Sequence, residues 1–555
     1  LGAPLPMHAE HAVSVSLPKW QDVVDYEEGR ARVVDAMQCG YPRFFFHHAV
    51  RQLFQMCAAK FGTRNESCIL VSSREAQHEC RAFLNAQDPG KSAVRLAEVG
   101  LSSHVLNTDP ELVRLQEDIS LFIVLFDTSL LPHAKAFWQH TGEIISSRFA
   151  VQCLRILKEN ELAEETIFLE ERFGRNLEIS KGHEARDTLK ARIAGLSSHP
   201  PTFLTSLAAG PQLPPVVSRP ADAAGNGVAT LTVASTDVFL YPSGMSAIYT
   251  AFKVAQALAP GCASAQFGFA YTDTIKIQQR MGVTNGSAAC HLFARGDATE
   301  MEQLEVLLQR ERIAAIFTEF PSNPLLGCAD LHRLSALARR HHALLIIDDT
   351  VGNLGNVHVL PYADIVVTSL TKVFSGDSNV MGGSLVINPL SPAHASIHAL
   401  CSTRAVNALW NEDAIFLERN SRTFLERNQV INRNAEALAD WLHRQPSIQC
   451  VYYPKYTQPT VYQRYQGGHG LGYGGLMSIA FHDARSAHDF FDRLQIAKGP
   501  SLGTNFTLAC PYTLLAHYHE LEFVESVGVP RDLIRMSIGM EPIEDLIAIF
   551  EAALR

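Results

Sequence analysis

Three apolar runs in the middle of the chain share a pattern that restricts the fold more than any other feature. AAIFTEF (314–320), ALLIIDD (343–349) and DIVVTSL (364–370) are of strand length, apolar without alternation, and end on polar residues. A strand apolar on both sides is buried on both faces. Between the first two lies ADLHRLSALARRHHA (329–343), whose apolar residues recur at helical spacing. Strands of this kind separated by helices form a mostly parallel sheet wrapped by helices, and such sheets bind ligands beyond the carboxyl ends of their strands. An α/β fold is therefore expected, with its chemistry at the polar strand ends.

The chain has 555 residues, more than one core usually serves, so several domains are expected. Residues 1–160 form an N-terminal extension with an α/β pattern: SCILVSS (67–73) and ISLFIVLF (119–126) read as strands. RFFFHHAVRQLFQMCAAKFG (43–62) reads as a helix after the turn signal Gly40-Tyr41-Pro42. No catalytic constellation stands out there, which points to a regulatory or structural role. Residues 161–228 combine a charged helical section with a Pro/Ala/Gly-rich linker. Residues 229–394 hold the alternating strands and helices, and 395–555 read as a smaller α+β domain with long helical segments.

The net charge is −10, which argues against nucleic acid as the main partner. Eleven cysteines occur without a C-x-x-C pair, so neither a zinc site nor a disulfide framework is expected. No apolar run reaches the length of a membrane span. The first residues lack the basic flank and apolar core of a secretory signal. Together these suggest a cytoplasmic protein with no membrane partner and no metal.

The strand ends supply a chemical inventory. In DVFLYPSGMSAIYTAFKVAQAL (237–258) a strand ends at Tyr241-Pro242 and Ser243-Gly244-Met245 opens a helix. Free N–H groups at a helix start can cradle a phosphate, although Ser-Gly is equally an ordinary helix cap. Asp348 and Asp349 close a buried strand, where a carboxylate calls for a cationic partner. Ser322, Asn323 and Pro324 come after another strand, where they also suit a plain turn. Lys372 comes after the third strand, beside Ser369 and Thr371. A phosphate cradle, a buried anion and an amine that can attack a carbon together call for a ligand with three matching groups, and pyridoxal phosphate has all three.

In chain order, SGMSAI (243–248), YTDT (271–274), PSNPLL (321–326), IDDT (347–350), SLTK (369–372), SLGT (501–504) and RMSIGME (535–541) resemble the cystathionine gamma-synthase family. This is the Cys/Met-metabolism group of fold-type I pyridoxal-phosphate enzymes, with the aspartate-aminotransferase-like fold. HAVSVSLPKW (11–20), YEEG (26–29) and CGYPRFFFH (39–47) resemble the N-terminal half of the longer fungal members.

The resemblance implies a role for each matching residue. Lys372 would be the Schiff-base lysine and proton shuttle, Asp348 the partner of the pyridinium nitrogen, and Tyr271 the aromatic stacked on the ring. The phosphate would take the Ser243-Gly244-Met245 helix start, with Gly244 and Met245 donating N–H groups and Ser369 and Thr371 their hydroxyls. Asn323 would contact the ring's 3-oxygen, and Arg535, aided by Ser501, would clamp the substrate carboxylate. The family's N-terminal arm carries a Tyr-Ser-Arg segment that reaches a neighbouring subunit. Its counterpart here is EERFGRNL (170–177), which offers Arg172 for the phosphate but no tyrosine. GDSN (376–379) replaces the usual GHSD, and Asn505 and Phe506 replace residues on the substrate-facing side.

The implied reaction is γ-substitution on an activated L-homoserine, the O-acetyl ester by resemblance to the fungal members, with L-cysteine as acceptor and L-cystathionine as product. A γ-synthase using sulfide or a carbon acid, a β- or γ-lyase, and a non-catalytic scaffold are the alternatives. A homodimer or homotetramer with its site at the dimer interface is implied as well.

Overall fold

The computed structural model describes residues 1–88, 93–101, 119–162, 181–198, 231–281, 290–404, 408–467 and 472–555. Arg172 and most of the Pro/Ala/Gly-rich linker lie outside these residues.

The central sheet has seven strands, in the order Val238–Tyr241, Gly383–Ile387, Ile365–Ser369, Leu344–Asp348, Ile313–Glu319, Ala263–Phe267 and Cys290–Phe293. Only Gly383–Ile387 runs antiparallel to its neighbours. The strands ending at Tyr241, Ser369, Asp348 and Glu319 therefore finish on one edge, which is where the apolar runs turn polar. Register places Asp348 directly opposite Glu319.

The C-terminal body is a five-stranded sheet in the order Ile448–Tyr452, Leu476–Phe481, Ile534–Ser537, Leu508–Pro511 and Ala497–Lys498. It is covered by the helices Phe424–Leu442, Ala484–Arg493 and Ile543–Leu554, whose Leu438, Phe490 and Phe550 share one core with Ile479 and Met536 of the sheet. Burying each such side chain contributes about 1.5–3 kcal/mol.

The N-terminal extension divides between these two bodies. Leu17, Trp20, Val23 and Val33 are buried in the C-terminal core. There Trp20 stacks on His488 with ring centroids 4.0 Å apart, and its backbone N–H donates to Asp492 Oδ1 at 2.8 Å. From residue 48 onward the chain builds a three-stranded antiparallel sheet, with Ile119–Asp127 between Glu66–Val71 and Arg95–Leu101. Its Leu53, Ile69, Ile123 and Trp138 form one apolar cluster with Ala247 and Phe252 of the helix Gly244–Leu258 and with Val367 of the central sheet.

Between these two attachments, residues 39–47 cross from one body to the other. The sequence reads 43–62 as a single helix, but the helix runs His48–Phe61. His47 Nδ1 caps it by accepting from Ala49 N at 3.3 Å. Arg43 stays outside it, 2% exposed and bonded across the crossing to Asp273.

Candidate active site

Lys372 is brought to the sheet edge by a short, tied loop. Leu370 N donates to Gly382 O at 2.9 Å, while Thr371 Oγ1 accepts from Gly382 N at 3.2 Å and donates to its carbonyl at 3.3 Å. The loop turns the lysine into a cleft that Tyr271, Asp348 and Arg535 also line. Its Nζ donates to Ser501 Oγ at 3.3 Å and lies 4.5 Å from the centroid of the Tyr41 ring. Burial lowers the Lys372 ammonium pKa; Tyr41 opposes that, and the positive charges of Arg535 and Arg43 add to it.

Across the cleft, Asp348 and Glu319 end adjacent strands. Asp348 Oδ1 accepts from Thr350 N at 2.9 Å. Glu319 accepts from Tyr271 N at 2.5 Å and from Asn323 N at 3.1 Å. Burial and the neighbouring Asp348 raise Glu319 to about 8, and burial raises Asp348 as well. Two carboxyls this close do not both ionise readily, so a charge on one disfavours a charge on the other.

The helix Gly244–Leu258 opens onto the same cleft, with Gly244 and Met245 lining it. A Cβ on Gly244 would fall 2.6 Å from Ser369 Cβ, so only glycine lets the helix start pack against this strand end. Ser243 is placed differently from Gly244 and Met245. Its Oγ caps the helix by accepting from Ser246 N at 3.1 Å and donates to Gly142 O at 3.0 Å, and the residue does not line the cleft. Gly142, with φ 67°, ends the helix Leu131–Thr141 and ties the N-terminal region to the cradle.

Tyr271 lines the cleft beside Arg43. Arg43 Nη2 donates to Tyr271 Oη at 2.7 Å, and Arg43 Nη1 donates to Asp273 Oδ2 at 2.8 Å and to Gln139 O at 2.7 Å. Asp273 Oδ1 also accepts from His140 Nδ1 at 2.9 Å. Despite complete burial, these partners hold the Asp273 carboxyl well below the usual carboxylate range.

The C-terminal body contributes Arg535. Its Nη2 donates to the carbonyls of Pro500 and Ser501, both at 2.9 Å, and its Nη1 donates to Asn323 Oδ1 at 3.3 Å. Its guanidinium carbon sits 4.6 Å from the centroid of Tyr512, which accepts from Asn323 Nδ2 at 3.0 Å. These contacts engage both terminal nitrogens of the fork and fix its orientation, while the residue still lines the cleft.

The sequence-derived set thus divides. Lys372, Asp348, Tyr271, Asn323, Gly244, Met245, Ser369 and Arg535 all line the cleft. Ser501 reaches Lys372 from just behind its wall. Ser243 is occupied as a cap, Thr371 is occupied within its own loop, and Arg172 lies outside the described residues. Asn505, expected on the substrate-facing side, instead joins two loops: it donates to Asp377 Oδ1 at 2.7 Å and accepts from Arg427 Nη1 at 2.8 Å.

Sequence reasoning missed Glu319, Tyr41, Arg43 and Phe44, all of which line the cleft. Glu319 could have been found, because it ends a mostly apolar, fully buried strand much as Asp348 ends its own. The extension, expected to be regulatory or structural, also reaches this cleft: Tyr41 and Arg43 line it, with Arg43 held by Asp273 and Tyr271 some 230 residues away in sequence.

The residues present fit pyridoxal phosphate. They offer an amine whose pKa burial lowers, a pair of carboxyls at the strand ends, an aromatic ring, and a helix start whose glycine allows close approach. Among the described residues no group of His, Cys, Asp and Glu could hold a metal ion.

The chain matches the Cys/Met metabolism PLP-dependent enzyme family over residues 222–555 and the fungal trans-sulfuration enzyme N-terminal domain over residues 49–146. It is 38% identical to the cystathionine gamma-synthase-like enzyme iboG2 of Amanita muscaria, an alignment covering 100% of this chain and 96% of that one. It is 36% identical to the cystathionine gamma-synthase of Neurospora crassa, over 100% of this chain and 98% of that one. The cystathionine gamma synthase of Xanthomonas oryzae pv. oryzae, solved with aminoacrylate and cysteine, shares the fold with a TM-score of 0.52 at 24% identity, covering 66% of this chain and 97% of that one. With these matches and a cleft that fits the cofactor, this chain belongs to the Cys/Met metabolism PLP-dependent enzymes, in the form that carries the fungal trans-sulfuration N-terminal domain.

Proposed function

We propose that the chain catalyses γ-replacement on an activated L-homoserine, with O-acetyl-L-homoserine and L-cysteine giving L-cystathionine. One observation carries the reading: Ser501 joins the two groups an amino-acid substrate needs. Its hydroxyl accepts from Lys372 Nζ and its carbonyl accepts from Arg535. An amino acid whose carboxylate is held by Arg535 therefore has its α-carbon within reach of Lys372.

When bound, pyridoxal phosphate supplies an electron sink for the substrate's α-carbon. Lys372 would hold the cofactor and would move protons at the substrate's α- and β-carbons, and burial, by lowering its pKa, favours the free amine that this role needs. Asp348 offers the negative charge for the ring nitrogen. Burial and the neighbouring Asp348 push Glu319 up to about 8, which disfavours a second negative charge beside it. Tyr271 and the first turn of Gly244–Leu258 position the ring and the phosphate. Arg535 orients the substrate, and Pro321, Val351 and Leu502 give the cleft apolar walls that limit water.

One observation favours a second reading. The relatives at 38% identity are named synthase-like, and those named cystathionine gamma-synthase come next at 36% and 34%. A γ-synthase with sulfide or a carbon acid as nucleophile is therefore the alternative, ahead of a lyase. We place the enzyme in the cytoplasm as a homo-oligomer. All eleven cysteines are free, which suits a reducing compartment, and no described helix is long and apolar enough to cross a membrane.

The test is a competition. O-Acetyl-L-homoserine is given with cysteine, sulfide and acetoacetate together, and products are read by mass spectrometry with Lys372→Ala as blank. Dominant cystathionine supports the first reading. A sulfide or carbon adduct moves the enzyme to the alternative, and 2-oxobutanoate alone moves it to the lyases.

A further inference from the structure

Two tyrosines meet at the cleft, and their environments differ in kind. Tyr271 sits on the large domain with its hydroxyl accepting from Arg43, and burial raises its phenol pKa well above the ordinary value. Tyr41 comes from the crossing segment of the N-terminal extension and is equally buried. Burial alone would raise it too, but Lys372 and Arg43 more than offset that and bring it below the ordinary tyrosine value. The two family matches begin at residues 49 and 222, so neither includes Tyr41 or Arg43.

The segment holding Tyr41 is built to keep it there. Arg43, two residues on, is fixed by Asp273, Tyr271 and the Gln139 carbonyl, and its guanidinium carbon lies 5.4 Å from the Tyr41 ring centroid. The N–H groups of Phe44 and Phe45 both donate to Tyr41 O at 2.9 Å, closing the turn. On the other side, Lys372 Nζ stands 4.5 Å from the Tyr41 ring centroid. The charged and titratable groups around this pair are Arg43 on the same segment, Tyr271 and Asp273 on the large domain, Asp348 and Glu319 across the cleft, and Arg535 from the C-terminal body.

We propose that the N-terminal extension supplies a catalytic residue to the site of its own chain: Tyr41, positioned by Arg43, is the proton partner of Lys372. The exchange is balanced within the pair. The Lys372 ammonium loses a proton to the Tyr41 phenolate, an N–H bond breaks, an O–H bond forms and the electron pair stays on nitrogen. No redox partner is needed. The amine released is the base that Lys372 must be, and the phenol formed holds a proton ready to return. A neutral Tyr41 beside a neutral Lys372 carries the same total charge as the ion pair, so the exchange moves a proton without adding charge to a buried site. Arg43 acts through Tyr41 and is a positioning residue.

The inference rests on the γ-replacement reading only for the substrate used to measure turnover. Its first test needs no substrate: the ultraviolet phenolate signal of the full-length chain freed of cofactor, titrated with base. In the wild type one phenolate should appear below the ordinary tyrosine range. Tyr41→Phe should abolish that step, Tyr271→Phe should keep it, and Lys372→Met should move it upward. The second test is kinetic. The Tyr41→Phe holoenzyme should lose about 10²–10⁴-fold in kcat at nearly unchanged KM, and one limb of its pH profile should disappear. Persistence of the early phenolate step in Tyr41→Phe, or an unchanged kcat, overturns the proposal. If Tyr41→Phe fails to fold, the Lys372→Met titration decides: an unmoved step overturns the pairing. A wild type that turns over no activated homoserine would count against the proposed function and leave the phenolate result readable.

Discussion

The cleft has two halves of different construction. One is made of strand ends: Lys372, Asp348, Glu319 and Ser369 all stand at the carboxyl edge of a single sheet, and hydrogen-bonded neighbours set their spacing. The other is a crossing, residues 39–47, which has no sheet to hold it and is fixed by the buried Arg43–Asp273 pair. The first half is rigid because its backbone is. The second depends largely on a buried charged side chain held by several partners. The first should therefore lose chemistry when altered and keep its fold, whereas the second should lose both.

Lys372→Ala sets the upper end of the scale. It should lower turnover by about 10⁴-fold or more, with little change in the midpoint of denaturant unfolding, because it removes a proton-moving group from a scaffold that does not need it. Arg43→Ala leaves Asp273 buried without its main partner, so unfolding in urea should show a loss of about 3–5 kcal/mol. Equal stability of Arg43→Ala and wild type would erase the contrast between the halves. Arg535→Lys cannot keep the fork that joins Pro500 O, Ser501 O and Asn323 Oδ1 while still facing a carboxylate. Hydrogen bonds to charged groups are each worth about 1.5–3 kcal/mol, so KM for the homoserine ester should rise about 10–100-fold.

Two smaller effects sharpen the comparison. Asn505→Ala removes the contacts to Asp377 and Arg427 and should cost about 1–2 kcal/mol of stability without changing KM, since the residue ties loops and does not face the cleft. Glu143 ties the N-terminal region to the helix Gly244–Leu258: it accepts from Ser246 Oγ at 2.7 Å, and burial pushes it up to about 7. A carboxyl raised in the folded state binds more protons there than in the unfolded chain between the ordinary glutamate value and about 7. Its stabilising contribution is therefore full in acid, declines as pH rises through that window, and is flat above it. In Glu143→Gln the thermal midpoint should lack that descent, which thermal scans across the window would detect.

Legibility in the sequence divides along the same line. The strand-end half could be read because a double-sided apolar run fixes where a strand stops, and the residues just beyond that stop must face the ligand edge; Asp348 and Lys372 are legible for this reason. Ser243 and Thr371 are not, because a hydroxyl beside a strand end serves equally as a cap or a loop tie, and only their partners, Gly142 and Gly382, decide between the two. The strand Arg95–Leu101 is hidden in the sequence because it carries Arg95 and Glu98 in a half-exposed pattern. Tyr41 and Arg43 have no local signal of function. A Gly-Tyr-Pro turn before an apolar helix looks like any connection, and its meaning comes from contacts with Asp273 and Lys372 that no spacing rule reaches.

The central claim is that one chain builds both halves of its own site. It is tested most directly with hetero-oligomers purified through two different tags, one chain carrying Tyr41→Phe and the other Lys372→Ala. If each site draws Tyr41 and Lys372 from the same chain, the mixed assembly has no intact site, and its turnover should not exceed that of the Tyr41→Phe chains alone. Recovery of a substantial fraction of wild-type turnover would mean that Tyr41 is delivered across the subunit interface, and would contradict the account.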